Sequence, residues 1–341
     1  MKNDLYQTYY TNPVLPGDFP DPTVIAVEGE GYFAYATHDE FSPTQNNILV
    51  SHSWDLVTWS KPEGALNAAP LWAKNCERFW APDVVKVDDE FRMYYAAEPD
   101  TKNGMCLALA VSKTPHAFID IGAPLAQMKG STYQMIDPCL FIDPVSGKHF
   151  LYYGSAHEPI RVAELAKDGR TFITMPKEVL YPLPGKRFEE LREGAYVTYH
   201  EKFNRYFLWV SGSNTWVENG YAVSVYWSDD PANEFQKIPG EHIILHPNKH
   251  WDSPGQNCII TDAAGNDWIM YHAVDTNDRY IPNTNIFLRK TCMDRVFYTA
   301  DGWPYVRNES PSFEKQTGPV VHLDKNIITK ENLNWKAYKK K

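Results

Sequence analysis

The chain has 341 residues, of which 43% are hydrophobic and 22% charged, with a formal net charge of -10. Such a composition belongs to a folded globule able to bury a core. The acidic balance repels a nucleic-acid backbone or an anionic membrane, so neither is expected as a partner, and no apolar run approaches the roughly 20 residues needed to span a bilayer.

The amino-terminal stretch MKNDLYQTYYTNP carries no apolar segment of the secretory type. A cytoplasmic protein is expected if Met1 is the native start, and otherwise a secreted one whose signal peptide has been removed. Next comes a repeat. Five segments read as the same strand: Tyr32 to Thr37 (YFAYAT), Phe91 to Ala97 (FRMYYAA), His149 to Ser155 (HFLYYGS), Arg205 to Gly212 (RYFLWVSG) and Asp267 to Ala273 (DWIMYHA). Each follows a turn signal (GEG, DDE, SGK, KFN, AGN), and each turn follows an earlier strand-like run (TVIAV, VVKV, CLFI, AYVTY, NCII). A third strand is expected later in each unit: NILVSHS, CLALAVS, IRVAEL, AVSVYWS and TNIFLRK. The period is roughly 60 residues, with no helical periodicity, which suits the four-stranded blade of a propeller. The expected architecture is therefore all-β: a single-domain, five-bladed β-propeller over residues 1–317. A carboxyl-terminal extension follows at 318–341, ending in the Lys-rich KAYKKK. Cysteines 76, 106, 139, 258 and 292 are odd in number and lack metal-ligand spacing, so they read as reduced packing thiols.

Aligned on the aromatic strand, the first strands of the five units begin at Asp21, Ala81, Asp137, Glu193 and Gln256. In a propeller the innermost strands line the central channel, so these starts converge on one mouth. Asp-Pro is ordinary turn chemistry when it occurs once. Three acids in register are a different matter, because clustered carboxylates repel one another and are retained for chemistry or metal binding. Glycosidic cleavage needs one carboxyl to protonate the leaving oxygen and another to activate water or attack the sugar. Asp137 and Glu193 fall in adjacent units, and a neighbouring charge favours proton retention, so Glu193 suits a general acid. Asp21, across the channel, suits the base. A wide separation would leave room for water and imply inversion.

The segments NPVLPGDFPDP, FWAPD, IDPCLF, REGAY and WIMYHA, in that order over roughly residues 12 to 310, resemble glycoside hydrolase family 43. The resemblance implies a five-bladed propeller of inverting enzymes acting on arabinose- and xylose-containing glycans. It implies Asp21 as general base, Asp137 as the residue that tunes the acid and positions substrate, and Glu193 as general acid. Trp80 matches a ring near the sugar subsite, and Arg289 an arginine that contacts sugar hydroxyls. His272 resembles the family's channel histidine, often found near a bound calcium. A structural calcium there is set against a hydrogen-bonded core histidine: calcium prefers oxygen ligands, so one imidazole does not define a site and would supply one ligand with waters supplying the rest, while Gln256 and Asn257 near the same mouth either help hold the ion or line the channel. No other cofactor is required.

The segment SPGQN resembles a loop of arabinan-acting members, and the long β-sandwich that follows the propeller in many xyloside-acting members is not expected here. The reading is an α-L-arabinofuranosidase of hemicellulose degradation, releasing terminal residues from arabinan or arabinoxylan oligosaccharides. A β-xylosidase, an endo-arabinanase or another furanosidase is the alternative. A non-catalytic carbohydrate-binding propeller is disfavoured, since a binding module has no need of three clustered acids. Related fructoside enzymes carry a WMNDPNG-like opening that GDFPDPT lacks. The sequence leaves linkage, exo or endo action and oligomeric state open.

Overall fold

A computed structural model describes residues 4–38, 47–128, 130, 133–323 and 339–340. The described chain is all-β, and its helical content is three single turns of 3-10 type at Leu71–Ala73, Glu201–Phe203 and Arg307–Glu309. Five antiparallel sheets form the blades of a propeller. Their innermost strands are Thr23–Val27, Phe79–Val87, Cys139–Ile142, Arg192–His200 and Trp251–Thr261. Each innermost strand packs against those of its two neighbours, and the fifth returns to the first, closing the ring in chain order.

The second strands of the blades are Gly31–Ala36, Glu90–Ala97, His149–Tyr153, Arg205–Ser213 and Asp267–Asp275, which cover the aromatic repeat. Each hairpin turns through a left-handed residue supplied by the turn signal: Gly29, Asp88, Gly147, Asn204 and Gly265. Gly, Asn and Asp accept that conformation most readily, which is why these short runs punctuate the repeat. The aromatic rings face the seams between blades. Phe33, Tyr35, Phe79 and Tyr95 fill the seam of blades 1 and 2, Tyr152 and Leu208 that of blades 3 and 4, and Trp209 and Tyr271 that of blades 4 and 5. Full burial of such a ring contributes on the order of 1.5–3 kcal/mol. Their polar tips are satisfied: Tyr271 donates to Asp294 at 2.6 Å and Trp209 Nε1 to Thr198 at 2.9 Å. Trp209→Ala would leave a cavity at a seam and cost about 3–5 kcal/mol.

Among the described residues, blades 1 and 5 share no strand. The segment Asn12 to Phe19 instead runs along blade 5, with the Val14 and Leu15 amides donating to Thr291 O and the Phe19 amide to Arg289 O. This brings the carboxyl end of Asp21's approach against Arg289. An outer sheet adds a second clasp, pairing Asp4–Tyr10 with Gln316–Leu323 and with Lys339–Lys340.

Two boundaries differ from the sequence reading. The third strand of blade 5 is Arg289–Tyr298, not TNIFLRK. Residues before it form a loop closed by a Tyr280–Phe287 bridge, where Pro282 and the left-handed Asn283 interrupt any ladder. The division at residue 317 falls within the strand Gln316–Leu323. Of the expected extension, residues 324–338 and 341 lie outside those described. All five cysteines are buried and free. No helix among the described residues is long and apolar enough to cross a membrane.

Candidate active site

Each blade carries a left-handed residue on its innermost strand or two residues before it: Asp21 (φ 56°) and Asp137 (56°) precede theirs, and Ala81 (42°), Gly194 (63°) and Gln256 (46°) lie within theirs. In four of the five the amide faces a polar side-chain atom of the preceding blade. Asp21 N lies 3.2 Å from His272 Nδ1. Ala81 N donates to Thr37 Oγ1 at 2.7 Å, Gly194 N to Asp137 Oδ2 at 2.9 Å and Gln256 N to Ser211 Oγ at 2.7 Å. Side chains at these points turn toward the channel mouth, which explains how Asp-Pro at a turn becomes a site residue. For non-glycine residues this conformation is costly and is held by its surroundings.

The register corrects the sequence alignment in blade 4. The structural counterpart of Asp21 and Asp137 is Gly194, and Glu193 lies one residue earlier. A Cβ on residue 194 would stand 2.3 Å from Gln256 Oε1, so any side chain there would have to displace the Gln256 amide. A bulge between Glu193 and Tyr196 re-aims the strand, and the Glu193 carboxyl still reaches the same cavity. Bulges serve this purpose beside functional sites.

The cavity encloses about 310 Å³ at the mouth of the channel, and Asp21, Asp137 and Glu193 all line it, with Trp80, Arg289 and Gln256. Arg289 Nη1 lies 3.1 Å and 3.3 Å from the two carboxylate oxygens of Asp21. Burial by itself would raise the Asp21 pKa. The Arg289 charge, with hydrogen bonds from His272 and Thr37, outweighs it and holds the carboxyl far below the usual carboxylate range. Asp137 and Glu193 go the other way. Burial raises both, most strongly Asp137, to which the Glu193 and Asp21 charges add; on Glu193 the Asp21 charge also raises the pKa, while hydrogen bonds from Ser155 and Tyr221 pull it back. Glu193 is held on both oxygens, accepting from Ser155 Oγ at 2.5 Å and from Tyr221 Oη at 2.6 Å.

His272 is buried, and both its nitrogens face protein atoms. Nδ1 lies 3.1 Å from Asp21 Oδ1 and Nε2 lies 3.3 Å from Thr215 Oγ1. Nδ1 can serve the Asp21 carboxylate or the Asp21 amide, and the charged partner makes the stronger bond. Burial lowers the ring's pKa and keeps it neutral. Calcium takes six to eight oxygen ligands. Around His272 the described residues do not gather three ligand atoms of His, Cys, Asp or Glu, and the one carboxylate touching it is engaged by Arg289. Side chains of those four types therefore form no cage around this histidine, and any calcium there would take most of its ligands from amide, carbonyl or water oxygens. Asn257, the other residue considered there, is buried in the adjoining strand.

Two aromatic surfaces flank the acids. Trp80 stacks on Tyr133 with centroids 6.1 Å apart and an interplanar angle of 21°. The Trp216 ring, also lining the cavity, lies over the Arg289 guanidinium, whose Cζ is 4.7 Å from the ring centroid. Sugar rings pack on such faces. Sequence reasoning singled out neither Tyr133, Trp216 and Tyr221 nor the hydroxyls of Thr37 and Ser155. Thr37 and Ser155 close the aromatic segments of blades 1 and 3, but at different positions: the counterpart of Thr37 is Gly154, one residue before Ser155.

The family profile Glycosyl hydrolases family 43 matches residues 10–304, which includes every residue of this cavity. The chain belongs to glycoside hydrolase family 43. It is thus a glycoside hydrolase, with an oligosaccharide or polysaccharide as substrate. Among characterised relatives, a β-D-galactofuranosidase, xynD, of Aspergillus niger is 27% identical over 303 residues, covering 85% of this chain and 83% of that one. The extracellular exo-α-(1->5)-L-arabinofuranosidase ArbA of Cellvibrio japonicus is 22% identical, covering 85% and 86%. A crystal structure of a thermostable family-43 glycoside hydrolase superposes with a TM-score of 0.75 at 25% identity, covering 91% of this chain and 99% of that one.

Proposed function

We propose that this family 43 hydrolase removes terminal α-L-arabinofuranosyl residues from arabinan- or arabinoxylan-type oligosaccharides with inversion at the anomeric carbon. The observation that carries the reading is the opposite electrostatic setting of two carboxyls in one cavity. Asp21 is held ionised by Arg289, whereas burial favours a proton on Glu193.

In this scheme protonated Glu193 gives its proton to the glycosidic oxygen as the anomeric C–O bond breaks. A water on the opposite face loses a proton to Asp21 and its oxygen bonds to the anomeric carbon. The sugar leaves with inverted configuration and the remaining glycan leaves as an alcohol. Glu193 ends ionised and Asp21 protonated, and exchange of protons with solvent restores both. Asp137 helps keep the proton on Glu193 and fixes the Gly194 amide beside it. Trp80 and Arg289 position the sugar.

Terminal action is supported by the modest cavity, at the small end of ligand pockets, and by the exo-acting relative. A β-D-galactofuranosidase is the second reading, favoured by the relative of that name. Release of free arabinose from arabino-oligosaccharides, set against a panel of aryl α-L-arabinofuranoside, β-D-galactofuranoside and β-D-xyloside, tests the proposal. Longer products only, or preference for the galactofuranoside, would overturn it.

A further inference from the structure

Tyr221 joins the two halves of the site. It opens the third strand of blade 4, Tyr221–Ser228. Its hydroxyl donates to Glu193 Oε1 at 2.6 Å. Its ring lies parallel to that of His272, with an interplanar angle of 8° and centroids 5.8 Å apart, and His272 in turn touches Asp21. The ring also rests on Gly255, the cross-strand partner of His272: a Cβ there would meet Tyr221 Cε1 at 1.9 Å. The phenol is therefore wedged against the Gly255 backbone beside the His272 imidazole, with its hydroxyl on Glu193.

We infer that Tyr221 is a positioning residue that orients the Glu193 carboxyl and stabilises the charge developing on it as the proton passes to the leaving group. The inference rests on the role of Glu193 as general acid. A hydroxyl donor bonds more strongly to a carboxylate than to a neutral carboxyl. The Tyr221 bond thus tightens during proton transfer, and an interaction stronger in the transition state than in the ground state raises kcat and leaves KM little changed. Ser155 on the Oε2 side is a freer rotor and can turn to accept, so the wedged phenol carries the directional part. The charged and titratable groups facing Glu193 are Asp137 of blade 3, Asp21 of blade 1 and Arg289 of blade 5. His272 of blade 5 and the Tyr221 phenol itself, which burial and Glu193 keep protonated, complete the set.

Tyr221→Phe keeps the ring against His272 and Gly255 and removes the donor. Its kcat should fall about tenfold on an alkyl α-L-arabinofuranoside, whose alkoxide needs the proton, with much less loss on a dinitrophenyl glycoside, which departs unaided. KM should stay within about twofold, and the alkaline limb of the rate profile should move to higher pH. Gly255→Ala, which pushes the ring off its seat, should show the same leaving-group signature. Equal losses on both substrates, no loss on either, or an unmoved alkaline limb would overturn the inference. Glu193→Gln, run on the same pair, separates the two levels. If it shows no leaving-group dependence, the role of Glu193 falls and the inference with it. If it does and Tyr221→Phe does not, the inference alone falls.

Discussion

The Arg289 guanidinium lies 3.1 Å and 3.3 Å from the two carboxylate oxygens of Asp21, and this ion pair separates the behaviour of Asp21 from that of the other two acids. It also gives Arg289 a second task besides the sugar contact read from the sequence. The guanidinium is held by the Trp216 ring and by its pairing with Asp21.

Arg289→Ala should therefore do more than weaken substrate binding. Asp21 would be left buried without its strongest stabilising charge, and its pKa would rise. The acidic limb of the kcat/KM profile should move to higher pH, and the rate at the optimum should fall about 100-fold or more. A change in KM alone, with the acidic limb in place, would show that Arg289 serves only the sugar.

Asp137→Asn tests the coupling of the buried acid pair. Asparagine cannot ionise, so the mutual repulsion that raises the second ionisation of the pair is lost and the alkaline limb moves to lower pH. Asparagine can still accept from the Gly194 amide, so the local backbone should survive. An alkaline limb that stays or rises would contradict the assignment of the pair.

Asp83 carries a prediction about stability. It sits on the innermost strand of blade 2 and accepts from Leu140 N of blade 3 at 2.7 Å and from Thr23 Oγ1 of blade 1 at 3.3 Å. Burial pushes its pKa up to about 6 from an ordinary 3.8. The folded state then binds more protons than the unfolded state between those values. Its contribution to stability is greatest below the unfolded pKa and is lost as pH rises through about 6, by on the order of 3 kcal/mol. Asp83→Asn keeps an acceptor for Leu140 and cannot ionise. Urea melts from pH 4 to 7 should show a flatter stability profile than wild type; parallel profiles would refute this account of Asp83.

The satisfied nitrogens of His272 predict indifference to chelation. Enzyme dialysed against EDTA should keep its activity and its Tm. A loss in both that added calcium restores would show that a cation does bind in the channel.

The blades were legible because one physical demand repeats: an aromatic strand must fill each seam, after a turn that needs a left-handed residue. Asp21 and Asp137 were legible for the same reason, since Asp-Pro recurs at the start of an innermost strand. Glu193 was reached through an alignment that is off by one residue, because a bulge adds no mark to a single sequence. Tyr221, Thr215 and Trp216 were not legible. They lie on or beside the loop that joins the second and third strands of blade 4, and its path depends on a distant clasp: Asp252 accepts from Asn219 N at 2.7 Å and pairs with Arg279 at 2.5 Å. The third strand of blade 5 was misplaced because TNIFLRK has strand-like composition but follows Pro282 and Asn283, which hold it in a loop.

The most direct test of the central claim is proton NMR of the first-formed sugar during hydrolysis of an α-L-arabinofuranoside, read before mutarotation. With Asp21 activating water across the cavity from Glu193, the sugar should appear first as the β-anomer. Initial appearance of the α-anomer would mean retention, a covalent intermediate and a nucleophile in place of a base, and would contradict the roles given to Asp21 and Glu193.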